Sequence, residues 1–498
     1  VLRNLFATLA GNGRSALERA LRDAEAAGDA RATALAARAL VQRAPRSLPG
    51  WLALAKALHQ TETHREAAAA YRKALELGAP PPLVHKQLGV LHAALGEHTA
   101  AIEHLGRAVA LEPADADALC MLGTVMSDTR RFAEAIHWYE RALAQRSDFP
   151  EAHYNLGLAR FEQRDFAGAM ASLGRCIALN RGPQPAGGAE EALRRDPEPK
   201  FAPPDMAVNE VKLKHDCEQL EYLLQAGRLP AAYGEVLAQY RALREEMRGR
   251  LDVHSVVPFD AGRYPLVART YKRPFHVVRE PAPEGALINP QLDFRAIEER
   301  YLAARPSIVT LDGLLAPGAL LALRRFCLES TIWNNIKPGY LGAYLHDGFC
   351  SELLLRIAWE FRERLPRIVR GLPLQVMWGY KCDSSLPGLG VHADAAAVNV
   401  NFWVTEDDAN LDPEHGGLLV YEHDAPLDWG FGKFNKDSDT ILAYLESVRS
   451  VPVCVPHRAN RAVIFDSDLF HASDRPRFRE GYVNRRINIT LLYGLRTS

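Results

Sequence analysis

The chain lacks net charge: 60 Lys and Arg stand against 61 Asp and Glu, a formal balance of −1. Nucleic-acid-binding domains carry a basic excess or stripe, so a nucleic-acid partner is not expected. Long apolar runs are also missing. None approaches the ~18 residues of a membrane-spanning helix, so no membrane association is expected. Cysteine is scarce and scattered, seven residues at 120, 176, 217, 327, 350, 382 and 454, with no CxxC pair. That pattern fits a reducing, cytoplasmic setting without a structural zinc site. No GxSxG, P-loop or HExxH motif occurs, which removes the common signatures of serine hydrolases, NTPases and zinc proteases. The opening VLRNLFATLA has no secretory h-region or cleavage site, although a chain starting at Val leaves a trimmed leader open.

What is present is ordinary in bulk and patterned in detail. With 48% hydrophobic and 24% charged residues, the chain can bury sizeable cores and is not a disordered polymer. Its 498 residues allow two to four domains at about 150 residues each. Leu54, Leu88, Leu122 and Leu156 recur every 34 residues, followed at once by Ala55, Gly89, Gly123 and Gly157. The same period carries Ala67, Ala101, Ala135 and Ala169, then Ala74, Ala108, Ala142 and Cys176. Tyr71, Leu105, Tyr139 and Leu173 fill a large slot between the last two series.

These series resemble the tetratricopeptide repeat (TPR), in which two antiparallel helices repeat and small residues let them approach closely. The resemblance covers 14–181 and implies an all-α solenoid with a degenerate, capping first repeat over 14–47. It implies further a concave groove that holds a peptide or protein partner; His153 and Asn155 are candidates on it. An oligomer stays open.

Residues 182–205 are rich in Pro and Gly and read as a linker. A helical pair is expected over 206–250, with Pro230 suited to a helix start. From 254 to 498 the grammar changes. Helices are expected at PGALLALRRFCLEST and at 351–369. Strands are expected at 307–315, 374–381, 396–405, 416–422, 461–466 and 485–494. Helices followed by many short strands predict an α+β domain built on a β-sandwich or jelly roll.

Within those strands, VHAD sets His392 and Asp394 two residues apart, on one face of a strand. His471 follows Asp394 by 77 residues, and an Arg-bearing strand comes 15 residues later. Two histidines and one carboxylate with open positions are the ligand set of non-haem Fe(II) oxygenases. In this order the residues resemble the Fe(II)/2-oxoglutarate-dependent dioxygenases, whose core is a double-stranded β-helix. The resemblance covers 300–498. It implies Fe(II) on His392, Asp394 and His471, 2-oxoglutarate as cosubstrate, and a basic residue on its distal carboxylate. It also suggests Tyr380 as a cosubstrate hydrogen-bond donor. The carboxylate Asp394 favours hydroxylation over halogenation.

Strand alternation selects the arginine. Arg486, Asn488 and Thr490 share one face, and Ile487, Ile489 and Leu491 share the other with Arg485. The polar face points to the cofactor pocket, so Arg486 is the expected carboxylate ligand and Arg485 is expected to face a surface acid. Asn399 and Asn401 share a polar face by the same parity. Trp378, Trp403 and Trp429 are expected in the core, and Gly416–Gly417 in a turn without chemistry. The expected function is therefore a hydroxylase of a peptide or protein recruited by the TPR groove. Alternatives are a small-molecule hydroxylase with the repeats as docking platform, and a non-enzymatic TPR scaffold.

Overall fold

A computed structural model describes residues 13–496 apart from 186–187, 195, 197, 202–205, 370, 384–385 and 387. The opening ten residues and parts of the expected linker over 182–205 lie outside the described residues. Elsewhere in that stretch, Gly188–Arg194 is helical. The chain divides into two compact units, Val1–Gln163 and Arg164–Ser498, a boundary that runs through the 14–181 repeat stretch.

The first unit is a run of helical hairpins: α1 (Arg14–Ala26), α2 (Ala30–Arg43), α3 (Leu48–Gln60), α4 (His64–Glu76), α5 (Pro81–Ala94), α6 (His98–Leu111), α7 (Ala116–Asp128), α8 (Phe132–Gln145) and α9 (Pro150–Glu162). The second helices of successive hairpins begin at Ala30, His64, His98 and Phe132, so the sequence period is the period of the backbone. Small and large slots meet directly. A Cβ on Gly89 would stand 2.5 Å from Cγ of Leu105, and one on Gly123 would stand 2.7 Å from Cε1 of Tyr139. The turn inside each hairpin also repeats. Gly28, Glu62, Gly96 and Arg130 all take positive φ, between 58° and 72°. The next amides close back over the helix end, Thr63 to the Leu58 carbonyl and Arg131 to the Met126 carbonyl, both at 2.8 Å. This is the Schellman termination, which satisfies carbonyls that the helix end leaves free. His153 and Asn155 spend polar atoms locally, on the Ser147 carbonyl at 3.0 Å and on Thr124 Oγ1 at 3.4 Å.

The second unit opens with α10 (Phe166–Arg181); then α11 (Gly188–Arg194), β1 (Ala207–Val208), α12 (Glu210–Gln225), α13 (Tyr233–Glu246), β2 (Val257–Pro258) and α14 (Pro265–Thr270) share one apolar cluster, with β1 and β2 paired antiparallel. The pair expected over 206–250 is present as α12 and α13, but α13 starts at Tyr233 and Pro230 sits in the turn before it. After α15 (Phe294–Ala303) come β3 (Ile308–Leu311), α16 (Pro317–Glu329), β4 (Asn335–Lys337), β5 (Tyr340–Tyr344), α17 (Glu352–Arg364), β6 (Leu374–Cys382) and β7 (Val398–Trp403). The rest is β8 (Leu418–Asp424), α18 (Phe431–Lys436), α19 (Ser438–Ser447), β9 (Pro452–Val455), β10 (Ala462–Asp466), β11 (Leu469–Ser473) and β12 (Ile487–Tyr493). Seven strands form one antiparallel sheet in the order β3-β10-β7-β12-β6-β5-β4, and three form another, β11-β8-β9.

Register fixes which side chains share a face. Thr490 on β12 pairs with Trp378 on β6 and with Asn401 on β7, and Asn488 pairs with Tyr380 and Trp403. These six therefore lie on one face of three neighbouring strands. The opposite face carries Ile487, Ile489, Leu491, Val400 and Phe402, all buried. Arg485 stands beside Ile487, and the sequence expectation for it needs correction. It is 2% exposed rather than at the surface, and it pairs with Glu218 of α12 at 2.8 Å and with buried Asp383 at 3.1 Å. Burial of the pair beneath a helix is what periodicity within one strand cannot reveal.

Candidate metal centre

Three side chains converge from two segments. His471 lies on β11, and its backbone exchanges two hydrogen bonds with His392, at 2.7 and 3.0 Å. That single bridge is the only strand-like pairing in the VHAD segment, which is otherwise loop rather than the strand expected. The bridge brings the two rings together at a 50° tilt with centroids 4.4 Å apart. Asp394 is placed by its own amide, which donates to the Ser467 carbonyl at 3.2 Å. Its carboxylate stands 3.4 Å from Nε2 of His471 and 3.9 Å from Nε2 of His392. One ligand atom from each of the three lies within 4.8 Å of the others.

The surroundings prepare these groups as ligands. Nδ1 of His392 lies 2.9 Å from the Gly390 carbonyl, and Nδ1 of His471 lies 3.1 Å from the Leu469 carbonyl. A carbonyl only accepts, so each Nδ1 carries a hydrogen and each ring turns its Nε2 toward Asp394. Burial, with His471 alongside, lowers the His392 pKa and keeps that ring neutral, although Asp394 opposes the shift. Burial pushes the Asp394 carboxyl upward, but its hydrogen bond and proximity to His471, His392 and the Asn399 amide outweigh this and hold it below the ordinary range. Asn399 Nδ2 donates to Asp394 Oδ2 at 2.7 Å. Neutral imidazoles and an ionised carboxylate are what a divalent metal requires.

The cavity beside them is lined by Trp378, Tyr380, Asn401, Asn488, Thr490 and Arg486 as well as by the triad. The cavity is narrow, with a volume of ≈20 Å³. Lining side chains must shift to admit anything larger than an ion and its water. The polar face of β12 is cross-linked here: Asn488 Nδ2 and Thr490 Oγ1 both donate to Asn401 Oδ1, at 2.8 and 2.7 Å. Tyr380 shares a hydrogen bond with the Tyr344 hydroxyl at 3.0 Å.

Arg486 is 1% exposed. Its Nε and Nη2 donate to the carbonyls of Gly416 and Gly417 at 2.6 and 2.9 Å, and its Nη1 reaches only the Cys382 sulfur, at 3.7 Å. Among the described residues no carboxylate pairs with it. A buried guanidinium without a counter-ion is costly unless an anion joins it. The glycine turn therefore does more than expected, since its carbonyls aim the arginine. Gly416 takes φ +84°, and a Cβ on Gly417 would stand 1.9 Å from the Val455 carbonyl oxygen, so neither position tolerates a side chain without backbone movement.

Two further expectations change. Asn399 does not line the cavity but lies behind Asp394 as its hydrogen-bond donor. Trp378 lines the cavity with an indole N–H that is buried and unpartnered, as is Oδ1 of Asn488. Trp403 is fully buried, as expected. Leu389, Leu418, Ala472 and Ser473 also line the cavity without any sequence signal of their own. A larger cleft of ≈970 Å³ in the same unit, between α10 and residues 277–281, contains none of the triad.

Comparison with known proteins bears on the first unit. Tetratricopeptide-repeat models match residues 48–77, 86–145, 131–163 and 150–183. The helical hairpins of the first unit are thus a TPR solenoid. Similar solved structures include MamA protein, at 22% identity over 34% of this chain and 91% of that one, with a TM-score of 0.31. MamA from Desulfovibrio magneticus RS-1 is 16% identical over 34% of this chain and 96% of that one, with a TM-score of 0.32. YrrB, described as a TPR protein with an unusual peptide-binding site, is 18% identical over 32% of this chain and 82% of that one, with a TM-score of 0.29. No curated protein matches the chain. Among the described residues no helix is long and apolar enough to cross a membrane.

Proposed function

We propose that the second unit is an Fe(II)- and 2-oxoglutarate-dependent oxygenase, a hydroxylase, and that the TPR solenoid recruits a peptide or protein for it. One observation carries the reading. A two-histidine, one-carboxylate cluster and an uncompensated buried arginine line the same cavity. The first is the donor set of a non-haem Fe(II) site with open positions, and the second is a seat for a dicarboxylate's far end once the lining side chains make room. The two antiparallel sheets are consistent with a double-stranded β-helix core.

His392, Asp394 and His471 would hold the metal, and Arg486 the distal carboxylate of 2-oxoglutarate. When bound, the metal and cosubstrate together supply oxygen activation for hydroxylation. The chain's own residues do the rest. The Gly390 and Leu469 carbonyls fix the imidazole tautomers, and Asn399 orients the Asp394 carboxylate. Gly416 and Gly417 leave one edge of the Arg486 guanidinium free for the ligand. Asn488 Oδ1 and the Trp378 N–H, both unpartnered, are available to substrate, cosubstrate or water. Tyr380 offers its hydroxyl to the same space.

The decisive test needs no substrate. Anaerobic addition of Fe(II) and 2-oxoglutarate to the full chain should produce the visible metal-to-ligand charge-transfer absorption of the chelate. His392→Ala should lose it, and Arg486→Ala should need at least about tenfold more 2-oxoglutarate, as loss of a charged hydrogen-bond partner implies. Absence of the band in folded, Fe(II)-treated parent would overturn the reading. Mass spectrometry of a peptide library treated with the loaded protein tests recruitment. Oxygen incorporation into peptides supports it, and turnover confined to free amino acids moves the function to the small-molecule alternative.

A further inference from the structure

A second cluster of ligand-type side chains lies where the small sheet ends, outside the cavity just described. His415 lies in the turn before β8, Cys454 on β9 and Asp474 directly after β11, so the cluster gathers at one end of three neighbouring strands. One donor atom from each lies within 4.8 Å of the others. Nδ1 of His415 is 2.8 Å from Asp474 Oδ2, and Sγ of Cys454 is 3.4 Å from the same oxygen. Ligand atoms around a tetrahedral zinc ion, with bonds of roughly 2.0–2.3 Å, lie about 3.3–3.7 Å apart. The two separations to Asp474 thus lie within about half an ångström of that range, and the third, between His415 and Cys454, is no more than 4.8 Å.

Two further facts separate this cluster from a chance surface group. Asp474 has a side chain only 3% exposed, and among the described residues no Lys or Arg pairs with it. A carboxylate so deeply placed, held by an imidazole, a thiol and on Oδ1 by the Arg475 amide at 2.8 Å, has no permanent cation against its charge. The other side is open: the His415 side chain is 37% exposed and Cys454 is exposed, which gives an ion an entry path and leaves room for a water ligand.

We propose that His415, Cys454 and Asp474 form a second metal site, suited to a borderline divalent cation such as Zn²⁺, with three protein ligands and one position open to solvent. The mixed sulfur, nitrogen and oxygen donors distinguish it from the all-nitrogen-and-oxygen triad, because thiolate selects zinc over the harder cations. Occupancy also touches the first site. His415 is followed directly by Gly416 and Gly417, whose carbonyls hold Arg486, and the Asp474 amide donates to the Gly417 carbonyl at 3.1 Å. An ion on His415 and Asp474 would pin that turn from both sides.

Cobalt(II) reports this site separately, since only a cysteine ligand gives thiolate-to-cobalt charge transfer. Co²⁺ is titrated into the full chain, kept reduced with a phosphine, in the parent, in Cys454→Ser, in Asp474→Asn and in a His392→Ala/Asp394→Ala double variant. The expected result is one equivalent of thiolate-bound Co²⁺ in the parent and in the double variant. The band should vanish in Cys454→Ser and require at least about tenfold more Co²⁺ in Asp474→Asn. Zn²⁺ should displace the band stoichiometrically. Cobalt binding without a thiolate band in the parent, or a band that survives Cys454→Ser in protein with unchanged circular dichroism, overturns the proposal. Loss of the Fe(II)/2-oxoglutarate chelate with retention of the cobalt band would leave this site standing while the oxygenase reading fell.

Discussion

The two units solve opposite problems with their interiors. Among the described residues of the first unit, only Thr33, Ser47 and His92 are buried polar groups. Its core is Ala, Leu and Tyr in matched small and large slots, so its stability is a sum of repeated contacts. The second unit buries Lys212, Asp216, Lys381, Arg485, Arg486, Asp383, Asp394, His457 and His471. Some of these are paired, as Lys212 is with Asp216 at 2.5 Å, and some are left without partners. Among the described residues, the first unit leaves few buried side-chain atoms without a partner, Nδ1 of His64 and of His98, while the second leaves many and must draw their cost from the surrounding packing. On the oxygenase reading proposed above, unpartnered buried groups such as Asn488 Oδ1 and the Trp378 N–H would point to the chemistry better than cavity size, since the triad lines a cleft far smaller than the one beside α10.

The comparison breaks hardest in the solenoid's core. Tyr139 is 1% exposed and packs on the bare Cα of Gly123. Tyr139→Ala should cost about 3–5 kcal/mol, the range for truncating a buried aromatic. Urea unfolding followed by circular dichroism should lose stability by this amount in the helical transition, while Fe(II)/2-oxoglutarate chelation stays at parent level. An equal loss of chelation would show that the units do not behave independently.

A smaller effect sharpens the second unit. His457 is 5% exposed, packs against Trp403 and Phe478, and neither ring nitrogen has a partner. Burial, then Arg486 and Arg461, push its pKa from 6.5 down to about 3. The unfolded chain takes up a proton below 6.5 that the folded chain refuses until about 3, so the stabilising difference is intact above 6.5 and shrinks as pH falls. The slope approaches about 1.4 kcal/mol per pH unit below 6.5, which amounts to about 2.3 kcal/mol between pH 6.5 and 4.5. His457→Phe should remove that portion of the acid sensitivity, read as a smaller shift in urea midpoint between the two pH values. An identical shift in parent and variant would place the sensitivity elsewhere.

What was legible in the sequence follows the same division. Repetition exposes the solenoid, because one slot pattern written several times exceeds chance even when each residue is common. In the second unit, two-residue alternation was enough to separate Arg486 from Arg485 and to put Asn401, Asn488 and Thr490 on one face. It failed where tertiary contact decides. Burial of Arg485 depends on α12, and the role of Gly416–Gly417 depends on an arginine far along the chain. The His415, Cys454 and Asp474 cluster exists only once three strands are laid side by side. The VHAD segment misled for a related reason: a single backbone bridge, without a strand, suffices to orient His392.

The smallest effect tests whether the solenoid's turns obey geometry or composition. The turn between the two helices of each hairpin demands a left-handed residue at each 34-residue step, yet only Gly28 and Gly96 supply glycine, while Glu62 and Arg130 sit at φ 58° and 62°. A residue with a Cβ pays about 1–2 kcal/mol for that conformation. Glycine avoids it but loses more backbone freedom on folding, by roughly 0.5–1 kcal/mol. Arg130→Gly should therefore stabilise the first unit by about 0.5 kcal/mol, whereas Gly96→Ala should destabilise it by about 1 kcal/mol. Opposite signs in paired urea titrations follow only if backbone conformation governs the turn. If both substitutions destabilise, the Arg130 side chain contributes a contact that outweighs its strained backbone, and the repeats differ energetically where they match in shape.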